Sequence, residues 1–201
     1  MKKIMVLLFL VIVVSFVSYF GYKSIVKHHI NMQLEKSIQK LPVFSFYRLN
    51  GQDFSYNHSK KIKTLIIYFH PNCEHCQYEV KQLIHHKSKL VHTNILLISP
   101  ASLTEIKQFQ KDYQLEEISN LNLLWDKDQK FEAYFGTAIF PTVLIYNQNE
   151  ELQEKYTGEV KIEAIIKHVN TPIIEKQNTI SSLYTNKTEI DLLLFLFDLG
   201  R

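Results

Sequence analysis

The 201-residue sequence is poor in cysteine, glycine, proline and tryptophan, with two, five, five and one of each. Two cysteines can form one disulfide at most, so a framework of several bridges is excluded. The sequence also has no internal repeats and no low-complexity segments. An apolar fraction of 46% with 21% charged residues is that of one folded domain with extensions.

Strong charge of either sign is also missing, since the formal net charge is only +3. The densest basic cluster is Lys60, Lys61 and Lys63, around Ile62. A cluster of this size is typical of a solvated strand entrance and falls short of a nucleic-acid-binding patch. We therefore expect no nucleic-acid partner.

One long uncharged run is present, from Ile4 to Tyr22. As a helix its 19 residues would extend about 28 Å, close to the ~30 Å hydrocarbon core of a membrane. A cleaved signal peptide is the main alternative, but its apolar part is shorter and its cleavage site needs small residues. The bulky Phe16 and Tyr19 do not fit such a site. We therefore predict an uncleaved transmembrane signal anchor at residues 4–22, in preference to a buried core helix.

The anchor sets the expected division of the chain. Residues 1–3 precede the anchor, residues 23–41 form a polar tether, residues 42–170 the folded domain and residues 171–201 a C-terminal extension. Lysines lie on both sides of the anchor, so charge alone hardly decides its orientation. The end of the extension, "IDLLLFLFDLG", is apolar but too short to span a bilayer. Packing on the domain is favoured there, and contact with a partner or membrane surface is the alternative.

Short strands and helices alternate through the predicted domain. Apolar runs at 64–70 and 94–99 are typical of strands buried on both faces, and the Asn50-Gly51 pair predicts a hairpin turn. Helical spacing begins at Glu74 and recurs in later segments, and a hairpin and a last helix close the domain. This order predicts an α/β fold with a sheet of mixed direction.

The two cysteines, Cys73 and Cys76, lie two residues apart where a buried strand passes into a helix. A disulfide between them closes a very short loop and would stabilise the fold little. At a helix start, unpaired backbone N–H groups and the helix dipole favour a thiolate on the first cysteine. Cys73 is therefore predicted to be the nucleophile, and Cys76, one turn inside the helix, the resolving thiol.

A metal site is the alternative use of the cysteine pair. Cys73 and Cys76 could bind copper or zinc together with nearby histidines (His70, His75, His85 and His86). A closed zinc site takes four ligands, however, and no second cysteine pair or finger-like histidine spacing is present. We favour redox chemistry and expect no metal.

Three segments together resemble the membrane-tethered TlpA-like thiol–disulfide oxidoreductases of the thioredoxin fold. They are "FSFYRLNGQDFSY", "TLIIYFHPNCEHC" and "LLWDKDQKFEAYFGTAIFPTVLIYNQNEELQEKYTGEV". The resemblance implies a thioredoxin-like fold with an N-terminal hairpin extension, preceded by one transmembrane helix. It also implies a domain in the periplasm or otherwise outside the cell membrane, with residues 1–3 as a cytoplasmic N-terminus.

The same resemblance assigns roles to residues and partners. Pro141 would be the cis-proline beside the cysteines, and Phe140 would lie with it on the substrate-docking surface. The substrates would be protein thiols and disulfides, and an electron donor that the sequence does not identify would act with them. No bound cofactor is needed beyond the redox-active Cys73–Cys76 disulfide.

Two positions depart from related patterns. Thioredoxins carry a buried carboxylate six residues before the first cysteine, where this chain has Ile67. Another group must then accept the proton of Cys76, with Glu74 or water as the candidates. The threonine expected three residues before the reactive cysteine of peroxiredoxins is replaced by His70. Peroxiredoxin chemistry is therefore disfavoured.

The dipeptide between the cysteines, Glu74-His75, tunes the redox potential in this interpretation. A cationic His75 would favour the Cys73 thiolate, whereas the anionic Glu74 opposes it. An ordinary histidine is mostly neutral at pH 7 and a glutamate is almost fully ionised. The balance predicts a reductant.

The membrane anchor gives the first testable prediction. Protein extracted from membranes is expected to begin at or near Met1 and to resist alkaline carbonate washing, because the apolar run remains in the bilayer. N-terminal sequencing and mass spectrometry of the extracted protein check this. A soluble mature form without residues 4–22 would contradict the prediction.

Overall fold

The structure, a computed structural model, describes residue 13 and residues 15–23, 35–56, 58 and 61–170. Its centre is a seven-stranded mixed sheet with the strand order β2-β1-β5-β4-β3-β6-β7. The strands are β1 (Ser45–Arg48), β2 (Asp53–Ser55), β3 (Lys63–Tyr68), β4 (Thr93–Ser99), β5 (Leu121–Trp125), β6 (Thr142–Tyr146) and β7 (Leu152–Thr157).

Four α-helices cover the sheet. They are α1 (Glu74–His85), α2 (Leu103–Asp112), α3 (Phe131–Phe135) and α4 (Ile162–Asn170). Short 3₁₀ turns follow α1 at Lys87–Lys89 and α2 at Leu115–Glu117. The predicted thioredoxin-like α/β arrangement is confirmed.

The middle of the sheet is formed by strands buried on both faces. β3 pairs in parallel with β4, with Ile66 opposite Leu96, and antiparallel with β6, with Ile66 opposite Leu144. Every residue of β3 is buried. A strand covered on both faces needs apolar side chains at successive positions, which is why β3 and β4 read as continuous apolar runs.

The helices divide the core into two layers. α1, α2 and α4 pack on one face of the sheet, where Val80, Ile106 and Ile165 contribute to a single apolar cluster. α3 and the chain before β1 pack on the other face, around Phe46 and Phe131. The second layer is rich in aromatic rings, and the rings of Tyr68 and Phe131 stack there with centroids 3.9 Å apart.

The predicted N-terminal hairpin is present as β1 and β2. Phe46 lies opposite Phe54, and both rings are buried. The turn places Gly51 at φ +85°, a backbone conformation that glycine adopts without strain. β1 also pairs antiparallel with β5, so the hairpin extends the sheet on one side.

Only part of the predicted anchor lies within the described residues. Residue 13 and residues 15–23 are helical. The rest of the 4–22 run and the extension at 171–201 lie outside the described residues, so the assignments made there stay predictions. Among the residues that are described, none forms a helix with both the length and the apolar character needed to cross a membrane.

The chain just before β1 is joined to the sheet, although we expected residues up to 41 to be tether. Ile38 and Leu41 are 1% and 5% exposed and belong to the second layer. The backbone N–H of Leu41 donates to the carbonyl of Glu150 at 2.8 Å. The hydroxyl of Tyr146 donates to the carbonyl of Ile38 at 3.1 Å. The folded unit therefore includes residues 38–41, attached beside the turn between β6 and β7.

This attachment predicts a stability effect. Ile38→Ala is expected to lower the free energy of unfolding by about 2–5 kcal/mol, because it leaves a cavity in the second layer. Val43→Ala, at a side chain that is 82% exposed, is the matched control and is expected to change stability little. Urea unfolding of the full-length chain measures both. Equal effects of the two substitutions would show that the segment does not stabilise the fold.

Candidate active site

The cysteine pair lies at the carboxyl end of the central strand β3. After Tyr68 the chain continues through the buried Phe69, whose N–H donates to the carbonyl of Ile98 at 3.0 Å. A short loop then leads to Cys73, directly before α1. Because β3 is flanked on both sides, the loop emerges above the middle of the sheet and is held by a strand whose residues are all buried.

Cys73 is the N-cap residue of α1, with extended backbone angles of φ −93° and ψ 115°. Its Sγ accepts a hydrogen bond from the backbone N–H of Cys76 at 3.3 Å. The side chain is partly exposed, and both cysteines are thiols in this structure. A sulfur that receives a backbone N–H at a helix start is placed to carry negative charge. This is the position predicted for the nucleophile.

Cys76 lies one turn further along α1 and is 1% exposed. Burial raises the pKa of its thiol far above the ordinary value, and the hydrogen bond to Cys73 adds to the effect. Cys76 therefore stays a thiol where solvent cannot take its proton directly. The two sulfurs are close enough to interact, but their surroundings differ as nucleophile and resolving thiol require.

Glu79 is a third group of the site, and the sequence analysis missed it. It is 2% exposed, and within the described part of the chain neither carboxylate oxygen has a hydrogen-bond partner. Burial raises its pKa from 4.5 to about 8, and the negative charge of Glu159 contributes in the same direction. The charge of Glu79 in turn raises the pKa of Cys76. A buried carboxyl next to a buried thiol can receive and release a proton near neutral pH.

The raised pKa of Glu79 also links stability to pH. In the unfolded chain the carboxyl ionises near 4.5, whereas in the folded chain it stays protonated until about 8. Its contribution to stability is therefore complete below pH 4.5 and is lost as the pH rises through about 8.

The strand position at which thioredoxins carry a buried carboxylate is occupied in this chain by the apolar Ile67. It is fully buried in the first core layer. Glu79 supplies the carboxyl from the helix instead, three residues after Cys76. The signal was available, because a glutamate at that spacing lies on the same face of α1 as the buried Cys76 and Leu83. The proton acceptors considered from the sequence were Glu74 and water, so Glu79 was not among them.

The two residues between the cysteines are exposed, and one of them is paired. His75 Nδ1 lies 2.6 Å from Glu159 Oε2, on the loop between β7 and α4. Glu74 occupies the first turn of α1, where an acidic side chain suits the helix dipole. The structure places both residues beside the cysteines, and their redox-tuning role stays a prediction. Glu159 is a second charged residue of the site that the sequence analysis did not identify.

The peptide bond between Phe140 and Pro141 is cis, as expected. Thr142, the next residue, pairs with Tyr68 at the end of β3, so Pro141 lies beside the loop that carries the cysteines. The Phe140 ring is partly exposed, with its centroid 5.7 Å from that of His70. Nearby Ile139 is 56% exposed. This apolar surface suits the predicted substrate-docking role, which stays a prediction.

Two of the histidines considered as metal ligands, His70 and His86, bind separate backbone groups. His70 Nδ1 accepts from the backbone N–H of Asn72 at 3.2 Å, and His86 Nδ1 donates to the carbonyl of Gln82 at 2.9 Å. Over the described ranges, no three His, Cys, Asp or Glu side chains lie together in an arrangement that could hold a metal ion.

The sequence profile of the AhpC/TSA family matches residues 38–155. The chain belongs to the AhpC/TSA family. The match begins at Ile38, where the structure shows the chain joining the sheet, and it includes both cysteines. None of the curated proteins compared with the chain matches it.

Several solved structures share the fold of this AhpC/TSA-family protein. A thiol:disulfide interchange protein from Chlorobium tepidum is 16% identical, with a TM-score of 0.56 over 65% of this chain and 93% of its own. A secreted disulfide oxidoreductase of Mycobacterium tuberculosis, homologous to Escherichia coli DsbE, is 17% identical, with a TM-score of 0.55 over 67% and 96%. StoA from Bacillus subtilis is 16% identical, with a TM-score of 0.50 over 66% and 99%. At such low identities these structural matches show the shared fold alone. Together with the family match, they are consistent with oxidoreductase activity.

The different surroundings of the two sulfurs predict different reactivity. In the reduced full-length chain at pH 7, Cys73 is expected to alkylate faster than Cys76 by roughly tenfold or more, because each unit of pKa changes the thiolate fraction tenfold. Brief reaction with iodoacetamide followed by peptide mass spectrometry measures both rates. The chain unfolded in urea, where the rates should converge, is the control. Equal rates in the folded chain, or a faster Cys76, would overturn the assignment.

Proposed function

We propose that this protein is a membrane-anchored, extracytoplasmic thiol–disulfide oxidoreductase of the TlpA-like type that reduces disulfides in protein substrates. The observation that carries the proposal is the pairing of a partly exposed Cys73, whose Sγ accepts a backbone N–H, with a buried Cys76 beside a buried carboxyl. No bound cofactor is needed, because the two sulfurs hold the two electrons that are transferred.

In the first step the thiolate of Cys73 attacks one sulfur of the substrate disulfide. A mixed disulfide forms between Cys73 and the substrate, and the other substrate sulfur leaves as a thiolate. Cys73 is the sulfur that a folded protein can reach, since Cys76 is 1% exposed. The hydrogen bond from the Cys76 N–H to Sγ stabilises negative charge on Cys73 before the attack.

In the second step Cys76 loses its proton and attacks Cys73 Sγ. The Cys73–Cys76 disulfide forms, and the second substrate sulfur leaves. The raised pKa of Cys76 means that a base must take the proton. Glu79 lies three residues along the same helix face, and with a pKa of about 8 it can accept that proton and pass it on near neutral pH. A thiol donor outside the chain then returns two electrons to the disulfide.

The surface beside Cys73 supports a protein as the substrate. Exposed Ile139 and partly exposed Phe140 form an apolar rim next to the cysteine loop. Pro141 has no backbone N–H, so the edge of the rim lacks one hydrogen-bond donor. An extended polypeptide around a disulfide could lie along such a rim.

The apolar run at residues 4–22 supports attachment to a membrane. With the domain on the outer side, as the TlpA-like resemblance implies, it would lie in a compartment where disulfides form and persist. The structural neighbours include a protein described as secreted, the M. tuberculosis oxidoreductase. Residues 38–41, which fix the end of the tether to the sheet, would carry the domain on this anchor.

Electrostatics around the start of α1 supports the reducing direction. Glu74 is exposed next to Cys73, and His75 is paired with Glu159. With His75 protonated the pair is neutral, and with His75 neutral the pair carries one negative charge. Glu74 therefore leaves the local charge negative in either case. Negative charge disfavours the Cys73 thiolate, destabilises the reduced form and so lowers the potential.

Single-turnover reduction tests the activity. The reduced full-length chain, purified in detergent and freed of reductant, is mixed with an oxidised protein that has one accessible disulfide. The wild-type chain is expected to reduce it, Cys73→Ser to be inactive, and Cys76→Ser to accumulate the mixed disulfide because no resolving thiol remains. Non-reducing gels and mass spectrometry follow the products. A wild-type chain that does not exceed the uncatalysed rate would refute the proposed function.

The direction is tested by the redox potential. We expect a value nearer the roughly −270 mV of thioredoxin than the roughly −120 mV of a strong oxidant. Equilibration with glutathione buffers and alkylation of the remaining thiols gives the value. A potential above about −160 mV would reject the reductant and leave the oxidoreductase chemistry standing.

A further inference from the structure

Glu159 lies on a different element from the cysteines but is attached to their helix. It follows Gly158, whose φ of +88° turns the chain from β7 towards α4. Its Oε2 lies 2.6 Å from His75 Nδ1 in the first turn of α1. The side chains of His75 and Glu159 are 70% and 43% exposed, so the pair sits at the protein surface.

His75 and Glu79 are four residues apart in α1, which places them on the same helix face, one turn from each other. His75 is at the exposed end of that face and Glu79 at the buried end. The contact with His75 holds Glu159 over the helix face that carries Glu79 one turn further along. Its negative charge acts on Glu79, whose pKa it helps to raise.

Ionisable groups on the neighbouring elements include Cys76 and His75 on α1, Glu154 and Tyr156 on β7, and Glu163, Lys167 and His168 on α4. None of them is among the causes that raise the pKa of Glu79. His168 is directed to Glu154, with 3.6 Å between Nε2 and Oε1. Besides burial, the charge that raises the pKa of Glu79 is that of Glu159.

We propose that Glu159 is a positioning residue for proton transfer in the active site: held by His75 over α1, its carboxylate favours the proton-bound form of Glu79 and so controls how readily Glu79 takes the proton of Cys76. This inference rests on the proposed function, because it concerns the step in which Cys76 resolves the mixed disulfide.

The proton balance of that step is simple. Cys76 gives one proton to the ionised carboxyl of Glu79, and its sulfur forms the bond to Cys73 while the substrate thiolate leaves. Glu79 then releases the proton to the leaving thiolate or to water. Glu159 takes no part in the bond changes. It shifts only the pH at which Glu79 is ionised and ready to accept the proton.

The experiment compares Glu159→Gln with Glu163→Gln in the full-length chain. Glu163 is an exposed acid near the start of α4, so its variant removes the same charge away from the site. The first readout is the carboxyl titration of Glu79 by ¹³C NMR, assigned by its loss in Glu79→Gln. The second is the pH profile of oxidation of the reduced chain by oxidised glutathione, followed by acid quenching and mass spectrometry.

Glu159→Gln is expected to lower the pH at which Glu79 titrates by roughly half a unit. The shift is small because solvent and salt screen the charge of the partly exposed Glu159. The rising limb of the oxidation profile should move down by the same amount. Glu159→Asp should restore most of the wild-type behaviour, and Glu163→Gln should change neither readout. Glu79→Gln should lose the limb altogether.

His75 provides the test of positioning. In a His75→Ala background, Glu159→Gln is expected to shift the Glu79 titration by less than half as much, because Glu159 is no longer held over α1. An undiminished shift would show that His75 does not position Glu159.

The outcomes separate this inference from the proposed function. If the wild-type chain exchanges disulfides but Glu159→Gln leaves both the titration and the pH profile unchanged, the role of Glu159 is refuted and the activity stands. If the titration of Glu79 shifts as expected but the wild-type chain does not exchange disulfides, the proposed function fails and the inference about catalysis fails with it, while the charge coupling remains established.

Discussion

A carboxyl group buried without a hydrogen-bond partner is the constraint on which the rest of the site depends. Glu79 could form a charge there only at a large cost, since its oxygens are buried and meet no hydrogen-bond donor within the described residues. The protein responds by keeping the group protonated until about pH 8. The same lack of solvation that destabilises the anion makes the group a useful proton acceptor for the neighbouring thiol, whose pKa is raised for the same reason.

The sheet supplies the rigid base that this arrangement needs. β3 lies between β4 and β6, and all its residues are buried, so the loop to Cys73 starts from a strand that cannot shift without disturbing both neighbours. β6 returns beside β3 and brings the cis Phe140–Pro141 bond to the same end. The nucleophile and the buried acid, both on α1, thus meet the apolar rim from the chain before β6 at the end of one strand.

The end of the sheet opposite the cysteines is where the chain before β1 attaches to the fold. There residues 38–41 are joined to the turn between β6 and β7, with the N–H of Leu152 donating to the carbonyl of Gln39 at 2.9 Å. β6 runs from the cysteine end, where Thr142 faces Tyr68, to this turn after Tyr146. The chain from the proposed anchor therefore enters the fold at the pole away from Cys73. An attachment at this pole leaves the cysteine end unobstructed for a protein partner.

The amino-acid sequence was enough to predict the fold class, the strand before the cysteines and the helix after them, because these depend on local hydrophobic periodicity and on spacing. It also identified Cys73, Cys76 and, through the family resemblance, the cis bond before Pro141. It did not identify Glu79, although the spacing from Cys76 was visible, because a glutamate in a helix is usually solvated and only packing shows that this one is not. Glu159 could not be found at all, since it meets His75 across 84 residues of chain. Likewise, only tertiary contacts moved residues 38–41 from the tether into the core. Local patterns fix which elements form, whereas burial and charge at a site depend on what distant segments bring to it.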